Sequence, residues 1–209
     1  MTLGTWLLSD RVTGLLLLAL VGMQGFTMRL APGALRLQKP EGGTIAWVYN
    51  AFNLALLLGL TPLAAGCLLV GARDLVSWGQ WSVPGSALFS ISRSIGLATY
   101  LFGCFLMLWS RIVLGRSFRL GAVRPDPADQ LVASGPFRLV RHPMYSAVML
   151  MAFGLSFLLN SWVVLGLAVL FGVIVLRVIP IEEAQLESAY ADAYRTLRSR
   201  TWCLVPWVC

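Results

Sequence analysis

Hydrophobic and polar positions fall in long blocks along this 209-residue chain. Four stretches carry no charged residue: 12–28, 42–72, 94–110 and 146–176. A membrane-spanning helix needs about 20 predominantly apolar residues. The first three stretches therefore each supply one span once interfacial residues at their ends are included. The fourth is too long for one span, since a single helix would need about 46 Å of hydrocarbon at 1.5 Å per residue. Asn160-Ser161 near its middle predicts a tight polar turn between two short helices. The pattern gives an all-α, polytopic membrane bundle of five spans, the last two forming a helical hairpin, in one membrane domain over 1–209. Residues 1–110 hold three N-terminal spans, and 111–209 hold the half that carries the chemistry.

Within the spans, Gln24, Asn50 and Asn53 suit interhelical hydrogen bonds, and Pro62 predicts a kink in the second span. Residues 79–85, with Trp78, Trp81 and Pro84, read as an interfacial loop with aromatic anchors. Residues 111–140 mix Arg, Gly, Pro and Asp and are not apolar enough to span. Within them Asp126-Pro127-Ala128-Asp129 reads as a turn. From 180 to 198 the pattern is helical, with Glu182, Leu186, Tyr190, Tyr194 and Arg198 every fourth residue. Pro180 suits the first turn of that helix.

Composition agrees with this class: 58% of residues are hydrophobic and 12% charged, about half the charge of a soluble domain. The net charge of +7 needs no nucleic-acid partner, because the basic residues are sorted by side. All but Arg11, Arg73 and Arg93 fall on the side of the C-terminus, which places the N-terminus outside and the C-terminus in the cytoplasm. Arg93, at the start of the third span, is expected to snorkel to the outer interface. Cys67 and Cys104 read as small core residues. Cys203 and Cys209 lack metal-type spacing.

Two polar clusters flank the predicted hairpin. Before it stands Arg141-His142-Pro143-Met144-Tyr145, with the chain's only His. Pro143 suits a helix N1 position, and the free N–H groups there favour an anion. Arg141 and His142 add donors for a carboxylate or a ribose. After the hairpin stands Glu182-Glu183, with Arg177 one turn earlier. Adjacent carboxylates can bind an ammonium group and stabilise a sulfonium, or simply complement a helix macrodipole. A hairpin brings both clusters to one membrane face. There is no glycine-rich phosphate loop, so a cofactor must be held by helices and their cytoplasmic ends. With one His and no Cys near it in sequence, no metal ligand set is expected.

Together these segments resemble the isoprenylcysteine carboxyl methyltransferase and phospholipid methyltransferase superfamily of integral membrane enzymes. The resemblance covers roughly 114–206. It rests on Leu114-Gly115-Arg116-Ser117-Phe118, Gly135-Pro136-Phe137, Arg141-His142-Pro143-Met144-Tyr145 and Glu182-Glu183-Ala184-Gln185-Leu186, with Tyr190 and Tyr194. It implies S-adenosylmethionine as methyl donor, with Leu131, Val132 and Phe137 near the adenosine. Arg141, His142, Pro143, Met144 and Tyr145 would line the pocket, and Glu182 would hold the donor's amino group. A lipid-like acceptor would arrive from the bilayer, with Arg177 near its anionic group and Glu183 as a proton sink if the acceptor is an amine. Ala147 stands where the family often has Gly, Tyr190-Ala191 replaces a common Phe-Gly, and Thr201-Trp202-Cys203 replaces Val-Pro-Arg. The acceptor stays open among a prenylated cysteine, a phospholipid amine and a small thiol. The alternatives are a membrane sterol-type reductase using a nicotinamide cofactor and a non-catalytic membrane protein.

Overall fold

The computed structural model describes residues 9–28, 43–118, 125 and 129–205. Arg29, Arg36, Lys39, Arg119, Arg124, Asp126 and Cys209, to which the sequence assigned sidedness, turn or sulfur roles, lie outside the described residues. Five long helices follow in order: α1 (Asp10–Met28), α2 (Gly43–Leu69), α3 (Ala87–Leu114), α4 (Pro143–Leu159) and α5 (Trp162–Arg200). Four are long and apolar enough to cross a membrane, and α4 is a shorter apolar helix. Among the described residues there is no strand, only two isolated bridges.

The hairpin forms where the sequence predicts it. Pro143 opens α4, and Asn160 closes it in the left-handed conformation (φ 54°), which Asn tolerates better than most residues. The Ser161 side chain then caps α5 by accepting from the Val164 N–H. The turn is held by the neighbouring loop. Ser82 Oγ donates to Asn160 Oδ1, and Ser161 Oγ to the Trp78 carbonyl. Trp81 sits edge-on to Phe157 and Trp162, at 5.5 and 5.2 Å.

Helices α3 and α4 make the closest pairing of the bundle. Lipid gives helices no hydrophobic drive to associate, so small residues that let backbones approach supply it instead. A Cβ on Gly96 would meet the Gly154 carbonyl oxygen at 2.8 Å, and one on Gly103 would meet the Ala147 carbonyl oxygen at 2.8 Å. Helix α2 divides its contacts, its first half packing on α5 and its second on α1. Between the halves, residues Ala55–Leu60 form a π-helical turn. Pro62 thus relaxes into a widened turn just before it, with the Thr61 N–H bonded back to Leu56.

Three other expectations change. Arg93 does not snorkel. It is 2% exposed and pairs with Asp10, and its Nη2 donates to Thr13 Oγ1 at 2.8 Å. A carboxylate within reach makes burial cheaper than stretching to the interface. Arg73 shares the same Asp10 oxygen at 2.8 Å, and both guanidiniums lie over the Phe89 ring. Burial and the charge of Arg93 lower Arg73 to about 10, against the pull of Asp10. Pro180 does not start a helix but lies inside α5, which runs on past it. The break comes instead at Ala191, with φ 44° and ψ −118°, so the four-residue row from Glu182 to Arg198 is not one continuous face. Of the intramembrane amides, Gln24 does bond between helices, to the Cys104 carbonyl at 3.4 Å, and accepts from Arg111 at 2.7 Å. Asn53 bonds Tyr49 within its own helix.

The α3–α4 contact gives a test. Gly96→Ala improves helix propensity by about 1 kcal/mol, but the new methyl meets backbone atoms that cannot rotate away. We expect net destabilisation of about 1–3 kcal/mol, read as a lower melting temperature in detergent. Gly59→Ala, where a Cβ meets nothing within 4 Å, should not lower it.

Candidate active site

The uncharged run of α5 ends at Arg177, and four apolar residues on, Glu182 and Glu183 follow the spanning part. Neighbours on a helix point about 100° apart, and the two carboxylates therefore serve different faces. Glu182 shares its face with Phe171, Val175, Val178 and Gln185, turned toward α2 and α4. Tyr145 Oη donates to Glu182 Oε2, and the Tyr145 ring stands edge-on to Tyr49 at 5.1 Å. Glu183 shares its face with Leu176, Ile179 and Pro180. That face walls a cavity of about 630 Å³, completed by residues that include Arg141, Arg198, Trp202 and Cys203.

His142 joins the two faces. It is 4% exposed, and its ring stacks on Tyr145 with centroids 5.5 Å apart. Nδ1 lies 4.0 Å from Glu182 Oε1, and Nε2 lies 3.4 Å from Glu183 Oε1. Arg141 Nε donates to the same Glu183 oxygen at 2.9 Å, and Arg198 Nη2 approaches Glu183 Oε2 at 3.6 Å. Burial pushes the Glu183 carboxyl up. Hydrogen bonds from His142 and Arg141, with the charge of Arg141, outweigh this and hold it at about 2. The Tyr194 phenol, buried beside it, is pushed upward by desolvation and then by the Glu183 charge.

The position of Arg141-His142 is fixed by the chain after α5. The Arg141 N–H donates to the Trp202 carbonyl at 2.7 Å, the Trp202 N–H to the Leu139 carbonyl at 3.0 Å, and the His142 N–H to the Cys203 carbonyl at 3.1 Å. Arg141 Nη1 donates to the Arg198 carbonyl at 3.2 Å and to the Thr201 carbonyl. Arg141 is thereby committed to structure at Nε and Nη1.

The structure brings Arg141, His142, Tyr145, Glu182 and Glu183 together, with Pro143 buried below them as the first residue of α4. Phe137 is buried in the short turn Gly135–Arg138. Leu131, Val132 and Met144 are partly buried. Arg177 is exposed and, among the described residues, takes no part in the ion pairs around Glu183. Sequence reading missed Arg198, Trp202 and Cys203 as lining groups. Arg198 had been placed on a helical row but given no site role, and only the fold returns 198–203 to the start of α4. It also missed that Cys203 approaches His142.

The profile of the phospholipid methyltransferase family matches residues 91–193, a span that includes the His142 cluster, the hairpin and the Glu pair. A protein-S-isoprenylcysteine O-methyltransferase from Schizosaccharomyces pombe (strain 972 / ATCC 24843) is 26% identical over 181 residues, covering 79% of this chain and 74% of that one. Both matches support the membrane methyltransferase superfamily for the part of the chain that carries the site. The segments matched by the family model include the ones that the hairpin folds onto one end of the bundle.

Two tests follow. Glu183 has a folded value below its ordinary 4.5, so its stabilising effect is complete above about 4.5 and is lost as pH falls toward about 2. Glu183→Gln should destabilise the protein at neutral pH by about 3 kcal/mol, because it leaves Arg141 buried without its partner. It should also flatten the acid limb of the melting-temperature profile. An acid limb as steep as the wild type's would show that other carboxylates govern it. The second test concerns Ala191, whose positive φ costs a non-glycine residue about 1–3 kcal/mol. Ala191→Gly should stabilise by about 1 kcal/mol, net of glycine's entropy, measured by thermal unfolding.

Proposed function

We propose that this end of the bundle transfers a methyl group from S-adenosylmethionine to a carboxylate on a lipid-like acceptor. S-adenosylmethionine supplies an electrophilic methyl group on a sulfonium. The residues fit such a donor. Glu182 keeps one oxygen outside its bond with Tyr145 and offers a carboxylate for an amino group. One turn on and on the same face, Gln185 Oε1 is buried and accepts no hydrogen bond, an unmet acceptor that a polar ligand satisfies. His142, Tyr145 and Phe137, with Leu131, Val132, Pro143 and Met144 around them, would hold the remainder.

The observation that carries the choice of acceptor is the state of Glu183. A carboxylate that already accepts from Arg141 at 2.9 Å and faces His142 at 3.4 Å, and is held low by them, is a poor proton sink, and Glu182 is engaged by Tyr145. An amine acceptor must lose a proton; a carboxylate acceptor loses none. Glu183 is then a positioning residue for Arg141 and His142, not a general base. The yeast relative's name, an O-methyltransferase of isoprenylcysteine, agrees with that choice. The face formed by Leu176, Ile179, Pro180 and Glu183 runs from the bilayer into the cavity and gives an apolar tail a route inward. Arg198, at the cavity wall, would meet the acceptor's charge. Arg177, exposed beside this route, would meet it at the headgroup level. Alignment of donor and acceptor with exclusion of water can supply about 7–11 kcal/mol of the barrier. The excess of basic residues on these segments supports a cytoplasmic location for this end.

Binding of S-adenosylmethionine to detergent-purified protein is the direct measurement. Glu182→Gln should weaken it by about 1.5–3 kcal/mol, roughly tenfold or more. A folded Glu182→Gln protein with unchanged affinity would sink the amino-group assignment. Label transferred from methyl-labelled donor to membrane extract should be released by mild alkali, as from a methyl ester. Alkali-stable label would point to nitrogen or sulfur acceptors.

A further inference from the structure

Three donor atoms from three separate segments converge beside the cavity. His142 precedes α4, Glu183 is on α5 and Cys203 follows α5. All three residues are buried, and their ligand-type atoms lie within 4.8 Å of one another. We propose that His142, Glu183 and Cys203 form a binding site for a transition-metal dication of the zinc type. This inference does not depend on the methyl-transfer reading.

The geometry suits such an ion. Zinc bonds of about 2.0–2.2 Å to nitrogen and oxygen imply a tetrahedral N···O edge of about 3.4 Å, and His142 Nε2 lies 3.4 Å from Glu183 Oε1. The other ring nitrogen, Nδ1, faces Glu182 at 4.0 Å. With a metal displacing the proton from Nε2, the ring proton sits on Nδ1, on the side of the Glu182 carboxylate, the arrangement that orients metal-binding imidazoles. Cys203 is not free to drift, because its carbonyl accepts from the His142 N–H. The same segment is anchored on both sides, Trp202 by Leu139 and Leu204 by Ser146 Oγ. The mixture of imidazole, carboxylate and thiol selects zinc-type ions over magnesium and calcium, which want oxygen alone.

Two guanidiniums act against a dication. Arg141 Nε occupies one lone pair of Glu183 Oε1, and Arg198 lies 3.6 Å from Oε2. Thiolate and carboxylate together offset their charge, and the second lone pair of Oε1 remains for the metal. With three protein ligands the fourth position stays open, toward the cavity that Glu183 and Cys203 both line. A bound ion would staple the segment after α5 to the start of α4, the same junction that the backbone bonds already make.

The test uses the full-length detergent-purified protein, reduced, with Cys67, Cys104 and Cys209 changed to Ser so that Cys203 is the sole thiol. Cobalt(II) should produce a thiolate-to-metal charge-transfer band with intense visible bands of tetrahedral type, displaced by zinc. Zinc should raise the melting temperature, as any ligand of the native state does. Cys203→Ser in this background should abolish the charge-transfer band and weaken zinc binding by at least about tenfold. Should that variant fail to fold, His142→Asn carries the test and should weaken zinc binding by a similar factor. No charge-transfer band in the Cys203-only protein, or zinc affinity unchanged by His142→Asn, would overturn the site.

Discussion

One buried carboxylate holds the candidate site together. Glu183 receives Arg141 Nε, faces His142 Nε2 and is approached by Arg198, so it ties the start of α4, the middle of α5 and the last turn of α5 to one point. A carboxylate in that place is costly to bury and is repaid only by complete pairing. The constraint propagates outward. With Arg141 fixed, its Nη1 fixes the carbonyls of Arg198 and Thr201, and these set the cavity wall. With His142 fixed, the ring stacks on Tyr145, whose hydroxyl settles Glu182. The two acidic neighbours thus divide the work: one is spent on architecture, and the other keeps an oxygen outside its bond with Tyr145.

The opposite end of the bundle solves the same problem with the signs exchanged. There, one carboxylate, Asp10, serves two arginines, Arg73 and Arg93, and Phe89 offers its ring face to both. Arg73 Nη2 also reaches the Leu158 carbonyl at 3.3 Å. This bond attaches the loop after α2 to the last turn of α4, close to Asn160. The short helix α4 is therefore held at its far end by polar contacts, along its length by the glycines of α3, and at its near end by Glu183. A helix of 17 residues is about 26 Å long, less than the ~30 Å hydrocarbon core. It can be tolerated because protein, more than lipid, surrounds it: most of its residues are buried.

Much of this was legible in the sequence. Blocks of uncharged residues mark the spans, and Asn160-Ser161 marks the turn to the residue, because only a left-handed position and a serine cap suit two helices joined so tightly. The motif residues His142, Tyr145, Glu182 and Glu183 announce a shared site once a hairpin is granted. What sequence could not show is where single side chains point. Helical spacing put Glu182 and Glu183 side by side, yet a 100° step separates the ion-pair centre at Glu183 from the carboxylate bonded to Tyr145. Arg93 read as an interfacial anchor because its partner, Asp10, lies far away in sequence at the start of α1. Cys203 carried no signal for the same reason: its neighbours are assembled only by the fold.

The break at Ala191 shows how local sequence and overall shape trade against each other. A continuous helix would carry Tyr194 and Arg198 about 16 and 22 Å beyond Glu183 along its axis, out of reach of that carboxylate. The break at Ala191 turns the chain instead, and Tyr194 is buried beside Glu183 while the Arg198 guanidinium reaches the same carboxylate. Glycine would adopt that conformation without strain, and this chain pays with an alanine. The strain is sustained because several contacts beyond the break insist on it: Arg198 with Glu183, Arg141 with the Arg198 and Thr201 carbonyls, and Trp202 with Leu139. The helix is bent by its destination, and the destination is the buried carboxylate from which the site is built.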